Sequence, residues 1–255
     1  MIRLDPPGTF CQISAVLDML DNGARSFVDV GCGSGSVSAE LCRRGLTGMG
    51  IDSSPDAVNV TRSMLRQYVD AGRFEAYCVD VHEVVANREE DVAISMMVAE
   101  HVIDDVRFVR AVERMVRPGG QVIIGVPGRR DHWGFEDEVV GHLRRYERED
   151  LRKLLVSAGL TEVRVWSVAV PVANLLYHLG NRLVRRATGA GIMAQSSKEQ
   201  TSSSGIRDVP WKTVFPGWCA AILNRRTLYP LFLLQRLFYR TRYGVTLLAS
   251  GRVPR

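Results

Sequence analysis

Three glycines and one acidic residue lie close together near the start of the chain, in a pattern that could bind a ligand. Gly31, Gly33 and Gly35 alternate directly behind a short apolar run, which holds one acid, Asp29. Glycines between a strand and a helix let the backbone approach a ligand closely and point helix N–H groups at it. The stretch FVDVGCGSGS therefore predicts a ligand-binding turn.

Two nucleotide classes do not fit this turn. The nicotinamide fingerprint G-x-G-x-x-G needs a glycine at its sixth position, which here is Ser36. A Walker loop needs Gly-Lys followed by Ser or Thr, and this turn contains no lysine. Because nothing positive lines the turn, its ligand need not be a pyrophosphate.

Two further acids close the next two predicted strands. Asp52 ends the stretch TGMGID, 21 residues after Gly31, and Asp80 ends FEAYCVD. The first carboxylate could accept hydrogen bonds from vicinal ribose hydroxyls, and the second could accept one from an adenine amine. Since ligands bind at the carboxyl ends of parallel strands, we expect all three features to converge.

The elements that must position these residues alternate between strand and helix. Apolar runs predict strands over 26–30, 47–52, 74–80, 91–98, 121–127, 161–170 and 244–250. Helical spacing predicts helices over 11–22, 36–45, 54–72, 102–120 and 147–159. This order is typical of an α/β fold with a doubly wound, mostly parallel, seven-stranded sheet.

The alternation stops between the sixth and seventh predicted strands. Residues 171–243 contain two apolar, arginine-bearing helical segments, 171–187 and 227–240, separated by a small, polar stretch. We predict one domain over 1–255, in which 171–243 is a helical insertion that covers the pocket. The stretch QSSKEQTSSSG within it would open and close access.

Charge is distributed unevenly along the chain, whose net charge is +5. Residues 170–255 carry thirteen of the 33 Lys and Arg residues but only two of the 28 acids, Glu199 and Asp208. Two interpretations stay open. The first is a solvated basic face, and the second is contact with a phosphate-bearing substrate, acidic lipid head groups or an acidic protein.

The cysteines and the N-terminus bear on location. The five cysteines are odd in number and have no CxxC spacing, which disfavours a disulfide framework or a zinc site. The first residues, MIRLDPPGTF, lack the apolar run of a signal peptide, and no stretch approaches the ~20 apolar residues that span a bilayer. A cytoplasmic protein is the expectation.

As a set, these motifs resemble those of the class I S-adenosylmethionine-dependent methyltransferases. VDVGCGSG is similar to the family's first motif, GIDSS to its second-strand acid, and CVDV to its adenine contact. DVAISMMVAEHVIDD and RMVRPGGQVIIGVP resemble its fourth and fifth strands with their turns. GHLRRYEREDLRKLLVSAGL resembles a segment of the branch that includes the quinone-biosynthesis methyltransferases. The resemblance covers about residues 25–168 and ends before 171–243, where we expect substrate choice to lie.

This resemblance implies a Rossmann-like methyltransferase fold and S-adenosylmethionine as the cofactor. The glycine turn, supported by Asp29, would cradle the methionine part, Asp52 would hold the ribose, and Asp80 would face the adenine. The implied cofactor residues are Asp29, Gly31, Cys32, Gly33, Gly35, Asp52, Ser53, Asp80, Val81 and Met97. We interpret Cys32 as a small filler rather than a nucleophile, because the sequence shows no partner for it.

Methyl transfer from an activated sulfonium needs mainly alignment, and a base only if the acceptor arrives protonated. His101, behind the fourth strand, is a candidate base or acceptor-orienting residue, with a structural role at that turn as the alternative. Four residues of the following polar and aromatic loop could contact the substrate: His132, Trp133, His142 and Tyr146. We assign His82 and His178 to the surface or to packing, and we expect no metal site.

Several functions are consistent with these features. The leading hypothesis is methylation of a small, largely apolar metabolite at oxygen, nitrogen or carbon, as in secondary-metabolite tailoring. The second is a lipid, isoprenoid or peptide acceptor, with peripheral membrane contact through the basic C-terminal helices. Nucleic acid is not expected, because MMVAEH replaces an Asn-Pro-Pro-Tyr type motif and no aromatic–basic ribbon is present. A scaffold without turnover and a homodimer also stay open.

Overall fold

A seven-stranded sheet forms the centre of the computed structural model, which describes residues 1–84, 89–187 and 209–255. The described residues contain nine strands, of which all but β1 and β8 belong to this sheet. They are β1 (Ile2–Arg3), β2 (Ser26–Val30), β3 (Thr47–Asp52), β4 (Phe74–Cys78), β5 (Glu90–Met96), β6 (Val116–Pro127), β7 (Thr161–Val168), β8 (Val214–Phe215) and β9 (Thr246–Arg252). The large sheet has the order β4-β3-β2-β5-β6-β9-β7, and β9 runs antiparallel to both of its neighbours. The predicted mostly parallel sheet of seven strands is confirmed.

Nine α-helices lie in the described residues. They are α1 (Pro7–Met19), α2 (Ser36–Arg43), α3 (Pro55–Met64), α4 (Arg66–Asp70), α5 (Asp105–Glu113), α6 (Phe135–Val140), α7 (Arg148–Ser157), α8 (Val172–Ala187) and α9 (Tyr229–Arg236). None of these described helices combines the length and apolar character needed to cross a membrane.

Three predicted helix boundaries are wrong. The N-terminal helix begins at Pro7 rather than at residue 11. The segment 54–72 forms two helices, α3 and α4, which meet at Leu65. The predicted helix 102–120 ends at Glu113, and β6 begins already at Val116. The Pro-Gly-Gly stretch belongs to β6 because the chain pairs there: the Gly119 N–H donates to the Val253 carbonyl at 3.0 Å.

Successive residues of the central strands supply two cores, one on each face of the sheet. In β2, Phe27 belongs to one buried cluster and Val28 to the other. In β6, Ile123 and Ile124 divide in the same way. Side chains alternate across a strand, so continuous apolar runs are buried on both faces and the sheet is covered by helices on both sides.

The helices before and after β8, which are α8 and α9, pack against the N-terminal helix α1. Cys11 of α1, Val172 of α8 and Phe232 of α9 belong to one buried cluster. β1 pairs with β8 in a small antiparallel sheet that the sequence did not predict. The stretch QSSKEQTSSSG falls at 195–205, outside the described residues, so its gating role stays a prediction.

Candidate active site

The glycine turn connects β2 to α2 through backbone that favours glycine. Gly31, Gly33 and Gly35 have φ values of +75°, +53° and +80°. The N–H groups of Gly31 and Cys32 both donate to the Ile51 carbonyl, at 2.8 and 3.1 Å. A Cβ at Gly31 would lie 2.3 Å from Cγ2 of Val98, so this position has neither the conformation nor the room for a side chain.

Asp52 joins this turn to the end of β3. Its Oδ2 accepts a hydrogen bond from the Gly33 N–H at 3.0 Å, and its Oδ1 accepts one from the Ser54 N–H at 2.9 Å. The Gly33 carbonyl in turn accepts a hydrogen bond from the Thr61 hydroxyl at 2.9 Å. A carboxylate oxygen has two lone pairs, so each Asp52 oxygen can still accept one hydrogen bond from a ligand.

Asp29 and Cys32 form the buried support of the turn. Asp29 accepts a hydrogen bond from the Ser38 hydroxyl at 2.6 Å, and burial raises its pKa to about 6. Burial raises the pKa of the Cys32 thiol to about 12, with the nearby Asp29 adding to the effect. A thiol that stays protonated at neutral pH is a poor nucleophile, which supports the interpretation of Cys32 as a filler.

A cavity of about 1170 Å³ opens at the carboxyl ends of β2, β3 and β5. Of the predicted cofactor residues, those that line it are Asp29, Gly31, Cys32, Gly33, Asp52, Ser53, Asp80, Val81 and Met97. Gly35 does not, because it precedes α2 with its missing Cβ directed at Leu65 and Thr61. His82, assigned above to surface or packing, also lines the cavity. The volume exceeds the usual ligand pocket of about 300–1,000 Å³, so two small molecules can fit side by side.

Replacing Gly31 with alanine is expected to weaken binding of S-adenosylmethionine, the cofactor that the resemblance implies, at least about tenfold, because the new methyl group would displace Val98 from the turn. Gly45→Ala is the matched control: Gly45 also has a positive φ, +97°, but a Cβ there meets nothing within 4 Å. The control should lose stability by about 1 kcal/mol and bind normally. Titration calorimetry and thermal unfolding measure both effects, and equal binding by the two variants would contradict this account of Gly31.

Two histidines meet beside the cavity, on the loops after β5 and α6. Nδ1 of His101 lies 3.2 Å from the Gly141 carbonyl oxygen, which can only accept, so Nδ1 carries the proton and Nε2 the lone pair. The His101 and His142 rings are 4.8 Å apart in an edge arrangement. Burial is the main cause that lowers the pKa of His101 to about 4, and the neighbouring His142 adds to the effect. His101 is therefore neutral near pH 7.

Acids hold His142 in place from two sides. Asp137, fully buried, accepts hydrogen bonds from His142 Nδ1 at 2.6 Å and from Arg145 Nε at 2.8 Å. On the other side, Oε1 of Glu100 lies 3.6 Å from His142 Nε2. Sequence reasoning found His142 but missed Glu100, Asp137 and Arg145. The Glu-His pair at 100–101 was the one local signal that could have drawn attention to Glu100.

Glu100 is a fully buried acid whose carboxylate oxygens find no hydrogen-bond partner among the described residues. Burial raises its pKa from 4.5 to about 7. The folded state therefore binds more protons than the unfolded state between these values, and stability falls as pH rises through them.

Glu100→Gln removes this titration while keeping the shape of the side chain. We expect the variant to gain stability relative to the wild type between pH 5 and pH 8, by an amount on the order of 3 kcal/mol. Denaturant unfolding at a series of pH values measures the difference. Glu138→Gln, which changes an exposed acid of α6, should show no such trend. Parallel pH curves for Glu100→Gln and wild type would show that Glu100 ionises normally.

Three of the predicted substrate residues do not line the cavity. Tyr146 is buried in the core, where its hydroxyl donates to the Asp105 carboxylate at 2.9 Å. The ring of His132 packs 5.0 Å from that of Tyr177, and Trp133 lies exposed on the surface. The cavity is lined by His142 and by Arg145, which precedes Tyr146 in the chain. The loop thus contributes one of the four predicted residues, His142, together with Arg145, which the sequence did not indicate.

The far side of the cavity is largely apolar. It is formed by α1, the loop after β5, α8 and the segment 209–223. The apolar residues there include Ile13, Val102, Leu176, Leu179, Leu183, Val184, Val209, Phe215 and Leu223. Lys212 pairs with Glu136 at this side, so its charge is compensated. The cavity therefore joins a turn lined by acids to an apolar compartment, with His101 among the lining residues.

Glu100, His101 and His142 also meet a geometric requirement for a metal site, since one ligand atom from each lies within 4.8 Å of the others. Sequence spacing did not reveal this group because residue 142 is distant in the chain. Two of the four imidazole nitrogens already have acceptors, the Gly141 carbonyl and Asp137. The expectation of no metal stays a prediction.

Fold and cavity together define a class I S-adenosylmethionine-dependent methyltransferase, and comparison with known proteins agrees. Residues 9–165 match the family described as "Methyltransferase domain". The chain belongs to this family. S-adenosylmethionine is the cofactor, and the acid-flanked turn without positive charge fits it: Asp52 has acceptor capacity left for a ribose, and the Gly31 backbone can be approached closely.

Among sequence relatives are two proteins named ubiquinone biosynthesis O-methyltransferase. The one from Aeromonas salmonicida is 33% identical over 106 residues, which are 41% of this chain and 44% of that protein. The one from Methylobacterium nodulans is 37% identical over 99 residues, 38% of this chain and 39% of that protein. The match thus spans less than half of the length of each of these relatives.

Solved structures share the fold at low sequence identity. Phosphoethanolamine N-methyltransferase 2 of Haemonchus contortus, solved with S-adenosyl-L-methionine, has a TM-score of 0.61 at 17% identity, covering 98% of this chain and 54% of that one. The [4+2]-cyclase SpnF has a TM-score of 0.59 at 19% identity, covering 95% and 80%. A cyclase on this fold is a reminder that architecture alone does not fix the reaction.

Proposed function

We propose that this protein transfers the methyl group of S-adenosylmethionine to a hydroxyl oxygen of a small, largely apolar metabolite. The observation that carries the proposal is a neutral histidine, His101, in a cavity that is acidic at the glycine turn and apolar beyond it. The O-methyltransferase names of the sequence relatives support oxygen as the acceptor atom. Nitrogen and carbon acceptors are the alternatives.

The cofactor supplies an electrophilic methyl group, and this chain supplies alignment. Asp52 would accept hydrogen bonds from the ribose, while its existing bonds to Gly33 and Ser54 hold the turn in shape. Asp80, fixed by the His82 N–H at 2.8 Å, would face the adenine. Alignment of this kind can lower a barrier by roughly 7–11 kcal/mol.

His101 would accept the proton of the acceptor hydroxyl. Its Nδ1–H is directed at the Gly141 carbonyl, so in this tautomer the lone pair, and with it the basic site, is on Nε2. The acceptor oxygen would form its bond to the methyl carbon as the bond from that carbon to the cofactor's sulfur breaks, which leaves a neutral thioether, and the hydroxyl proton would pass to Nε2. Burial keeps His101 unprotonated before the reaction, so no competing proton has to leave first.

A lipid, isoprenoid or peptide acceptor is the second candidate. Leu176 and Leu179 of α8 line the cavity and are also partly exposed, at 39% and 50%. The apolar compartment therefore reaches the surface along α8. A long apolar acceptor could bind with its reactive end near His101 and its tail along this helix.

A transfer assay with S-adenosylmethionine tritiated at the methyl group tests the proposal. Small hydroxylated aromatics and prenylated phenols serve as acceptors, with and without EDTA, and mass spectrometry locates the new methyl group. O-methylated product that is insensitive to EDTA is expected. Cofactor binding without turnover on either acceptor class would favour the scaffold alternative.

We also propose a cytoplasmic location. All five cysteines are free thiols, and four of them are buried. Thiols that remain unpaired are the rule in a reducing compartment. Fractionation of the source cells, with immunodetection of this chain, measures the location.

A further inference from the structure

We propose that the outer faces of α8 and α9 dock on an anionic lipid bilayer, and that the cavity receives its acceptor from that bilayer. The second half of this inference rests on the proposed methyl transfer, whereas the first half does not. The occupant is identified by three properties of the surface: apolar stripes, aromatic side chains and uncompensated positive charge.

The outer face of α9 is an apolar stripe with an arginine beyond each end. Tyr229, Leu233 and Leu237 repeat every four residues and are 53%, 43% and 76% exposed. Residues at this spacing share one face of a helix. Arg226 precedes the stripe and Arg240 follows it, both exposed, and neither forms an ion pair within the described ranges. The opposite face, with Phe232 and Gln235, is buried.

The outer face of α8 has the same character. Leu175 and Leu179 lie on it, 76% and 50% exposed, and Arg182 and Arg186 continue the same face toward the end of the helix. The two helices lie close together, because the first turn of α8 and the residues around Phe232 share one buried cluster.

Exposed aromatic residues and a one-sided charge complete the surface. Trp218 and Tyr243 are 64% and 62% exposed, beside α9 in the chain. Residues 209–255 contain eight Lys and Arg residues and no acid. Four of the eight pair with acids elsewhere in the chain, namely Lys212, Arg225, Arg236 and Arg252. The charge offered to a partner therefore comes from the others, among them Arg226 and Arg240. Leucine, tryptophan and tyrosine partition into the interfacial layer of a bilayer, while arginine binds anionic head groups. A water-exposed surface of this composition fits a negatively charged bilayer.

The cavity reaches this surface. Leu176 and Leu179 belong both to its lining and to the exposed part of α8, and Leu223, ahead of α9, lines it as well. An apolar acceptor dissolved in the bilayer could thus enter along α8 without crossing water. Docking would concentrate such an acceptor at the mouth of the cavity.

Co-sedimentation of the whole protein with vesicles tests the docking surface. The vesicles are phosphatidylcholine alone or phosphatidylcholine with phosphatidylglycerol, at low salt. We expect binding to the anionic vesicles, and a loss of at least about tenfold in affinity for the double variants Leu233→Asp/Leu237→Asp and Arg226→Glu/Arg240→Glu. Val156→Asp on α7 and Arg66→Glu on α4, which change exposed residues elsewhere, are the matched controls and should bind like the wild type.

The surface is assigned wrongly if the wild type does not bind anionic vesicles. It is also assigned wrongly if the two double variants bind these vesicles with the same affinity as the two controls. A third contradicting result is a wild-type protein that does not bind vesicles but forms a dimer in sedimentation velocity, with Leu233→Asp/Leu237→Asp monomeric. The outer face of α9 would then contact a second copy of this chain rather than a bilayer. Cofactor titration of the same samples separates the two proposals: a variant that binds S-adenosylmethionine but no vesicle is folded and retains its cofactor site.

Discussion

Asp52→Ala is expected to weaken S-adenosylmethionine binding by at least about 100-fold. Two hydrogen bonds from ribose hydroxyls to a carboxylate contribute roughly 1.5–3 kcal/mol each, and a variant without the proposed ribose acceptor would lose both. It also loses the acceptors of the Gly33 and Ser54 N–H groups, so the turn itself loosens.

Titration calorimetry with S-adenosylmethionine and with S-adenosylhomocysteine measures this effect. Asp56→Ala is the control, because Asp56 is an exposed acid in the first turn of α3, four residues away. The control should bind like the wild type. Comparable affinity for the two variants would show that Asp52 does not hold the ribose.

His101→Gln is expected to lower kcat by about 10²- to 10⁴-fold, the range for loss of a positioned base, while cofactor affinity stays unchanged. Glutamine can keep a polar contact at this position but cannot take up a proton. His178→Gln, an exposed histidine of α8, is the control and should retain full activity. A His101→Gln variant with the wild-type kcat would leave His101 only a structural role.

The pH profile distinguishes a base from a spacer. Burial and His142 lower the pKa of His101 to about 4, and the base acts in its unprotonated form. In the wild type, kcat/KM should therefore stay level as pH falls from 7 to 5, and decline as pH falls through about 4. An ordinary histidine would cause that decline near pH 6.5. The residual activity of His101→Gln should lack the acid limb.

The convergence of the proposed cofactor residues on one cavity could be predicted from sequence because it depends on local patterns. Short apolar runs end in Asp52 and near Asp80, and the glycines follow another such run. Parallel strands bring their carboxyl ends together, so the sequence order already predicted that these residues converge. The structure departs from that prediction at Gly35, which faces α3 rather than the cavity.

The acceptor half could not be predicted in the same way, because its residues meet across loops. Glu100 and His142 are neighbours because the single 3₁₀ turn after β5 (Ala99–His101) packs against the loop after α6, which no spacing in the sequence reveals. Arg145 and Tyr146 show the limit most plainly. They are adjacent in sequence, yet Arg145 lines the cavity and Tyr146 is in the core.

The predicted ends of helices and strands were wrong where backbone pairing with a distant part of the chain overrides the local conformational preference. The stretch around Gly119 has turn-forming residues, but its backbone pairs with Val253 and joins β6. Likewise, β1 and β8 are two residues each and lie more than 200 residues apart in the chain. A sequence window cannot contain either pairing.

The most direct test of the account is a calorimetric titration of the wild-type protein with S-adenosylmethionine, repeated with Asp52→Ala. The account predicts saturable binding to the wild type with a micromolar dissociation constant and no measurable binding to the variant at the same concentrations. A folded wild-type protein that releases no heat of binding would contradict it, and so would an Asp52→Ala variant that binds as tightly as the wild type.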